Sequence, residues 1–174
     1  SLQRTYVMDE LFDAFIEKFE TETKKLVVGS PLEETTDISA MIQPKEQERA
    51  LSWIQEAVQN GAKIITGGTI DNGVLMPTIL TDVPSDAKVS CQEVFAPIVV
   101  VSRISSIEEG IEAINDSNYG LQAGIFTNNI QTAFKASKLF EVGGVMINDI
   151  PTYRVDQMPY GGVKESGTGK EGLK

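Results

Sequence analysis

The sequence predicts an α/β fold, an open, mostly parallel twisted sheet with flanking helices, and three observations carry that prediction. Ile98-Val99-Val100-Val101 is an uninterrupted apolar, mostly β-branched run, the pattern of a strand buried on both faces. Apolar residues at helical spacing recur on either side of it. From Ala96 onward the periodicity alternates strand, helix, strand, helix, strand, the rhythm of parallel strands joined by right-handed crossovers.

Each element follows from local pattern. Tyr6, Met8, Leu11, Phe12, Phe15, Ile16 and Phe19 fall at helical spacing and predict an amphipathic helix over roughly 5–25, its aromatic stripe facing a core. Gly29-Ser30-Pro31 ends it, and 32–43 reads as a connection with Ile38, Met41 and Ile42 tucked inward. Pro44 opens a second helix carrying Ala50, Leu51, Ile54, Ala57 and Val58, and Gly61 closes it. Ala62 to Thr66 reads as a short strand. Gly67-Gly68 and Asp71-Asn72-Gly73 read as turns, and Val74 to Leu80 as a strand in which Pro77 argues for an edge or a bulge. Beside the Gly67-Gly68 pair, neither G-x-G-x-x-G nor the P-loop spacing supports a phosphate cradle. Ala96 to Ser102 is the most strand-like run. Ser105-Ser106 with Glu108 and Glu109 offers a capping box for a helix over Ile107, Ile111 and Ile114. Ala123 to Thr127 is the next strand, 129–141 the next helix with Phe134, Leu139 and Phe140 inward, and Gly144 to Ile147 a final buried strand. Asp149 to Gly172 has no periodicity and reads as a functional loop or a tail ordered only against something else.

Composition narrows the function classes. A chain of 174 residues buries roughly 70% of its unfolded surface and so owns a real core. With 15 basic and 25 acidic side chains the formal charge is −10, which argues against nucleic-acid and anionic-membrane partners. No apolar run approaches the roughly 20 residues needed to span a bilayer, and the opening lacks a basic-then-apolar signal, so a cytoplasmic protein is expected. One cysteine and no histidine leave no zinc or other transition-metal site and no Ser-His-Asp triad. Cys91, with neither a cation nor a histidine beside it in sequence to favour the thiolate, reads as a packing thiol.

The stretch around Glu93 carries the most chemistry. In an extended segment Glu93 and Phe95 point the same way, so together they offer one acceptor and one apolar face to a small molecule, while Pro97 stiffens the entry to the following strand. A Phe at a sheet edge beside a solvated Glu fits the residues equally well.

Gln92-Glu93-Val94-Phe95-Ala96-Pro97 resembles the Glu-x-Phe-Gly-Pro signature of the aldehyde dehydrogenase superfamily. Pro159-Tyr160-Gly161-Gly162-Val163-Lys164-Glu165-Ser166-Gly167 resembles the same family's Pro-Phe-Gly-Gly-x-Lys-x-Ser-Gly element. Gly73 to Leu80, Gly120 to Phe126 and Gly144 to Asn148 follow in the family's order, so the resemblance spans nearly the whole chain. Ala96 departs from it, standing where Gly is usual and leaving the loop backbone less free.

The resemblance implies a truncated catalytic-domain fold of that family. A partial α/β catalytic domain would cover 1–148, and a Gly/Pro-rich substrate-loop and C-terminal segment 149–174. Ser1-Leu2-Gln3-Arg4 resembles the residues after the catalytic cysteine in the pattern Cys-x-Ser-x-Gln-Arg. That places the nucleophile, its oxyanion partner, the general base and the dinucleotide-binding domain upstream, and no catalytic residue within the chain. By the same resemblance Glu93 accepts hydrogen bonds from the nicotinamide ribose and Phe95 packs near the nicotinamide of NAD or NADP. The 149–160 stretch borders the substrate entrance, with Arg154 between Tyr153 and Tyr160 suited to grip an anionic group; alternatively Arg154 pairs with Asp156 and only orders the loop. The implied substrate is a small aldehyde, neutral or anionic, such as lactaldehyde, glyceraldehyde 3-phosphate or phosphonoacetaldehyde. The implied parent is a homodimer or homotetramer, with the isolated chain inactive. Two other readings stay open: a non-catalytic binding or assembly module that retains the fold, and a complete small enzyme using Glu93 and Lys164. A hydrated, Gly-rich setting for Lys164 argues against the last.

Overall fold

The computed structural model describes residues 2–172. Ser1, which opens the stretch compared above with the residues after a catalytic cysteine, lies outside them. The chain divides into two compact units, Gln3–Arg103 and 104–172.

The first unit is layered. β1 (Arg4–Met8) leads into α1 (Asp9–Thr23), and α2 (Pro44–Gln59) follows a connection in which Val28 and Ile38 form an isolated parallel bridge. β2 (Lys63–Thr66), the hairpin β3 (Ile70–Asp71) and β4 (Val74–Leu75), and β5 (Thr78–Thr81) come next. α3 (Lys88–Cys91) and β6 (Ile98–Ile104) complete the unit. The sheet has the order β1-β6-β5-β2. β5 and β6 run parallel with Thr78 opposite Ile98 and Thr81 opposite Val101, whereas β2 joins β5 antiparallel with a bulge at Ile64 and Thr66.

The β-branched run of β6 is apolar at every position because both faces of the sheet are covered. Ile98 and Val100 join Leu80, Ile54 and Ala50 in the core beneath α2. The alternate residues Val99 and Val101 pack with Ile79, Val7 and Phe12 against α1. Period-two alternation thus sends one strand into two cores.

Three expectations are corrected in this unit. The predicted first helix begins as a strand: Tyr6 and Val7, aromatic and β-branched, lie in β1 beside β6, and the helix starts only at Asp9, with Asp9 and Glu10 in its first turn. Pro77 neither sits at an edge nor makes a bulge but separates β4 from β5, after which Thr78 donates its N–H to the Pro97 carbonyl at 2.8 Å. Ile42 is 98% exposed rather than tucked inward, while Met41 beside it packs on the core.

In the second unit, α4 (Ile107–Asn115), β7 (Tyr119–Gly120), β8 (Gln122–Ile125), α5 (Ile130–Leu139), β9 (Gly144–Ile147) and β10 (Val163–Lys164) follow in order. β8 and β9 pair in parallel, joined by α5 as crossover, and β7 pairs with β10 antiparallel. Ile111, Ala123, Ala136 and Phe140 form the core here. The helix over 129–141 presents Ala133, Ala136 and Phe140 to it, while Phe134 is 70% and Leu139 43% exposed, against expectation. Alanines face inward where a helix lies close to its neighbours, and the larger Phe134 is left outside. β9 is likewise only partly covered, with Met146 its buried residue.

The aperiodic stretch after Asp149 is anchored within its own unit. Tyr160 and Glu171 exchange backbone hydrogen bonds at 2.8 and 2.6 Å, and Ser166 Oγ accepts from Gly120 N at 3.0 Å. A Cβ on Gly143 would lie 1.6 Å from the Gly161 carbonyl oxygen, so two backbones meet here at a distance that no side chain permits. No described helix is long and apolar enough to cross a membrane.

Candidate cofactor and substrate site

Residues 92–97 link the end of α3 to the start of β6. Their midpoint, Val94, is 1% exposed and belongs to the core under α2. Burying it removes its peptide groups from water at a point where they lack a strand partner, at a cost of roughly 1–3 kcal/mol for each group left unpaired. Side chains supply the partners instead. Val94 N donates to Gln3 Oε1 at 3.1 Å, and the Val94 carbonyl accepts from Arg49 Nη2 at 2.8 Å.

On either side of Val94 stand the two predicted residues. Glu93 is exposed and Phe95 is 81% exposed. The segment is not extended throughout, since Phe95 has φ of 54°. For a bulky L residue the left-handed region costs roughly 1–2 kcal/mol. Such strain persists where surrounding structure over-determines it, and it gathers at ligand sites. Ala96, by contrast, lies outside that region and packs its methyl on the core; the backbone freedom that glycine would bring is not needed at 96. Chemically the arrangement offers a carboxylate acceptor and an aromatic face in water, with the two peptide groups between them pinned.

Cys91, just upstream, is exposed rather than packed, its Sγ 3.4 Å from the Asp86 carbonyl oxygen. Gln3 and Arg49 escaped the sequence reading. Gln3 stands in the Ser1-Leu2-Gln3-Arg4 motif, and Arg49 looks like an ordinary polar position of α2; neither advertises a bond to a loop 91 or 45 residues away.

In the unit 104–172, Leu121, Gln122, Pro151, Thr152, Arg154 and Tyr160 line a shallow cleft. The Arg154 guanidinium lies 4.3 Å from the centre of the Tyr160 ring. The acid beside it is Glu171, at 3.6 Å, rather than Asp156. Both side chains of that pair are more than half exposed, so it holds little energy. Tyr153 is 48% exposed and is fixed through its backbone, whose carbonyl accepts from Gln122 Nε2 at 3.2 Å. The structure therefore brings Arg154 and Tyr160 together and sets Tyr153 beside them in the chain.

Lys164 is occupied structurally: its Nζ lies 2.6 Å from the Asn115 carbonyl oxygen and 2.8 Å from Glu141 Oε2. Among the described residues no group of three or more His, Cys, Asp or Glu could hold a metal ion.

Comparison with known proteins places these features among relatives. The aldehyde dehydrogenase family model matches residues 1–174. The 3-sulfolactaldehyde dehydrogenase of Priestia aryabhattai is 54% identical over 174 residues, covering 100% of this chain and 36% of that protein. Among solved structures, aldehyde dehydrogenase 21 from Physcomitrella patens, in complex with the reaction product succinate, superposes with a TM-score of 0.95 and 42% identity over 98% of this chain and 35% of its own. Glyceraldehyde-3-phosphate dehydrogenase GapN from Methanocaldococcus jannaschii, complexed with NADP, gives a TM-score of 0.94 and 39% identity over 99% of this chain and 37% of its own. The chain spans 36% of the length of the curated relative it matches at 54% identity.

Proposed function

Because the chain belongs to the aldehyde dehydrogenase family, we propose that it supplies the nicotinamide-facing loop and the substrate loop of an NAD(P)-dependent enzyme that oxidises a small aldehyde to a carboxylic acid. The observation that carries this reading is the pinned Glu93-Val94-Phe95 turn, an exposed carboxylate and aromatic held on either side of a buried residue whose N–H and C=O are both bonded. When bound, the cofactor would supply the hydride acceptor for aldehyde oxidation. Glu93 would hold the ribose hydroxyls by charge-assisted hydrogen bonds, and Phe95 would give the flat ring an apolar wall. The residues fit that group: acceptor and aromatic face are both free in water, and the strained turn fixes their spacing.

The nucleophile is not Cys91, the single cysteine of the sequence, which sits exposed at the end of α3 with the Asp86 carbonyl as its neighbour. The attacking thiolate and the base that activates water come from the remainder of an enzyme of which this chain corresponds to about a third. Such an enzyme would work as a homodimer or homotetramer.

For the substrate, the exposed Arg154 beside Tyr160 favours an aldehyde bearing a second, anionic group. The relatives named for sulfolactaldehyde and found with succinate are in keeping with this.

The test of the cofactor reading is Glu93→Gln in the intact enzyme, followed by rapid mixing. An amide is the weaker acceptor, so hydride transfer slows and the KM for NAD(P) rises while the fold is kept; a variant matching the parent in both would make Glu93 a solvated surface residue.

A further inference from the structure

We infer that Gln3 and Arg49 are positioning residues that lock the turn at Phe95, and with it Glu93, in the conformation that meets the cofactor; the inference rests on the cofactor reading above. One carboxamide makes three bonds around the loop. Gln3 Nε2 donates to the Val89 carbonyl at 3.1 Å and to the Gln92 carbonyl at 2.7 Å, and Oε1 accepts from Val94 N at 3.1 Å. Gln3 is itself tied to the sheet, its carbonyl accepting from Val100 N at 2.8 Å. The side chain thus references the loop to β6.

Arg49 grips the same residue from α2, through its other peptide group. Its Nη2 reaches the Val94 carbonyl at 2.8 Å, its Nε reaches Glu46 Oε2 at 2.7 Å, and its guanidinium lies 4.4 Å from the Trp53 ring centre. Stacking and the Glu46 pair fix the plane of the fork, which leaves its aim at Val94 little freedom. Val94 is therefore held at its N–H and its C=O by two elements, and the left-handed Phe95 follows directly. A strained residue bearing an exposed side chain needs such double restraint to stay in one state.

Gln3→Met and Arg49→Met in the intact enzyme test this, with Arg49→Lys and Glu93→Gln as companions. Amide hydrogen exchange is followed at Glu93–Ala96 and along β5 and β6, together with the KM for NAD(P), the KM for aldehyde and the hydride-transfer rate. Expected for both methionine variants is faster exchange confined to the turn, with roughly a tenfold to hundredfold loss in cofactor use and no change in aldehyde KM. Arg49→Lys, which keeps a donor for the Val94 carbonyl, recovers part of the loss. Unchanged exchange at the turn overturns the inference, and so does protection lost throughout Gln3–Arg103, which would make the clamp a prop of the fold. If the methionine variants leave cofactor use intact while Glu93→Gln impairs it, the positioning role falls and the cofactor reading stands. If cofactor use is unmoved in Glu93→Gln as well, the cofactor reading itself falls.

Discussion

Val94 and Phe95, adjacent in the chain, have opposite duties, and single substitutions separate them. Val94 is buried in the core under α2, so Val94→Ala removes two buried methyl groups and lowers stability by about 2 kcal/mol. Phe95 has 81% of its surface in water and φ of 54°, so Phe95→Gly loses almost no packing. It relieves the left-handed penalty and loosens the unfolded chain, two terms of opposite sign near 1 kcal/mol each. Denaturant titration is expected to show the first loss and little net change for the second, whereas cofactor affinity in the intact enzyme falls for Phe95→Gly. A large loss of stability in Phe95→Gly would mean that the aromatic ring serves the fold. At the other loop, Arg154→Leu in the intact enzyme is expected to cost on the order of 1.5–3 kcal/mol in kcat/KM for an anionic aldehyde and little for a neutral one of similar size. Equal losses for both would leave Arg154 as the partner of Tyr160 and Glu171 alone.

Among the elements, α4 shows how far a capping motif can be read in advance. Ser106 Oγ accepts from Glu109 N at 3.2 Å, and the Glu109 carboxylate reaches back to Ser105, accepting from both its N–H and its Oγ at 2.7 Å. These bonds hold the Glu109 carboxyl below its ordinary 4.5; contact with Lys135 does the same for Glu108. A carboxyl lowered in the folded state contributes stability that is complete above its ordinary value and lost as pH falls through the folded one. The protection factors of the Ser105 and Glu109 amides, relative to their intrinsic exchange at each pH, are therefore expected to fall on acidification below 4.5, and Glu109→Gln should flatten that response; identical profiles for the two would leave the cap without a role in stability. The cap, the Pro44 start of α2 and the core strand β6 were legible because local chemistry decides each of them. Position within the fold was not. Tyr6 and Met8 satisfy a helical spacing and a strand equally, and pairing with β6 settled the matter. Phe134 is more apolar than Ala136, yet the close approach of α5 chose the alanine. The motif around Glu93 identified its exposed tip, whereas Gln3 and Arg49 became visible only when 91 and 45 residues of separation closed to hydrogen-bond length.

Taken whole, the 174-residue chain is expected to fold and yet to show no aldehyde oxidation with NAD(P): on the proposed function its positioning groups act with a nucleophile and base supplied elsewhere in a longer enzyme, and alone they would retain little of a reaction that needs all of them as a unit. Steady turnover by the purified chain, followed as NADH or NADPH absorbance, would overturn that expectation. Its calorimetric titration with NAD is expected to be flat, and a clear micromolar isotherm would show that the Glu93 turn binds unaided. The exposed Cys91 has a practical consequence for such work. It is the single thiol of the chain and lies two residues before Glu93, so a maleimide fluorophore labels one place without mutagenesis, on the shoulder of the turn that Gln3 spans. Emission from that dye on the 174-residue chain would then follow the loosening of the turn when Gln3→Met or Arg49→Met is made in that chain, turning an otherwise idle sulfur into an optical gauge of the loop.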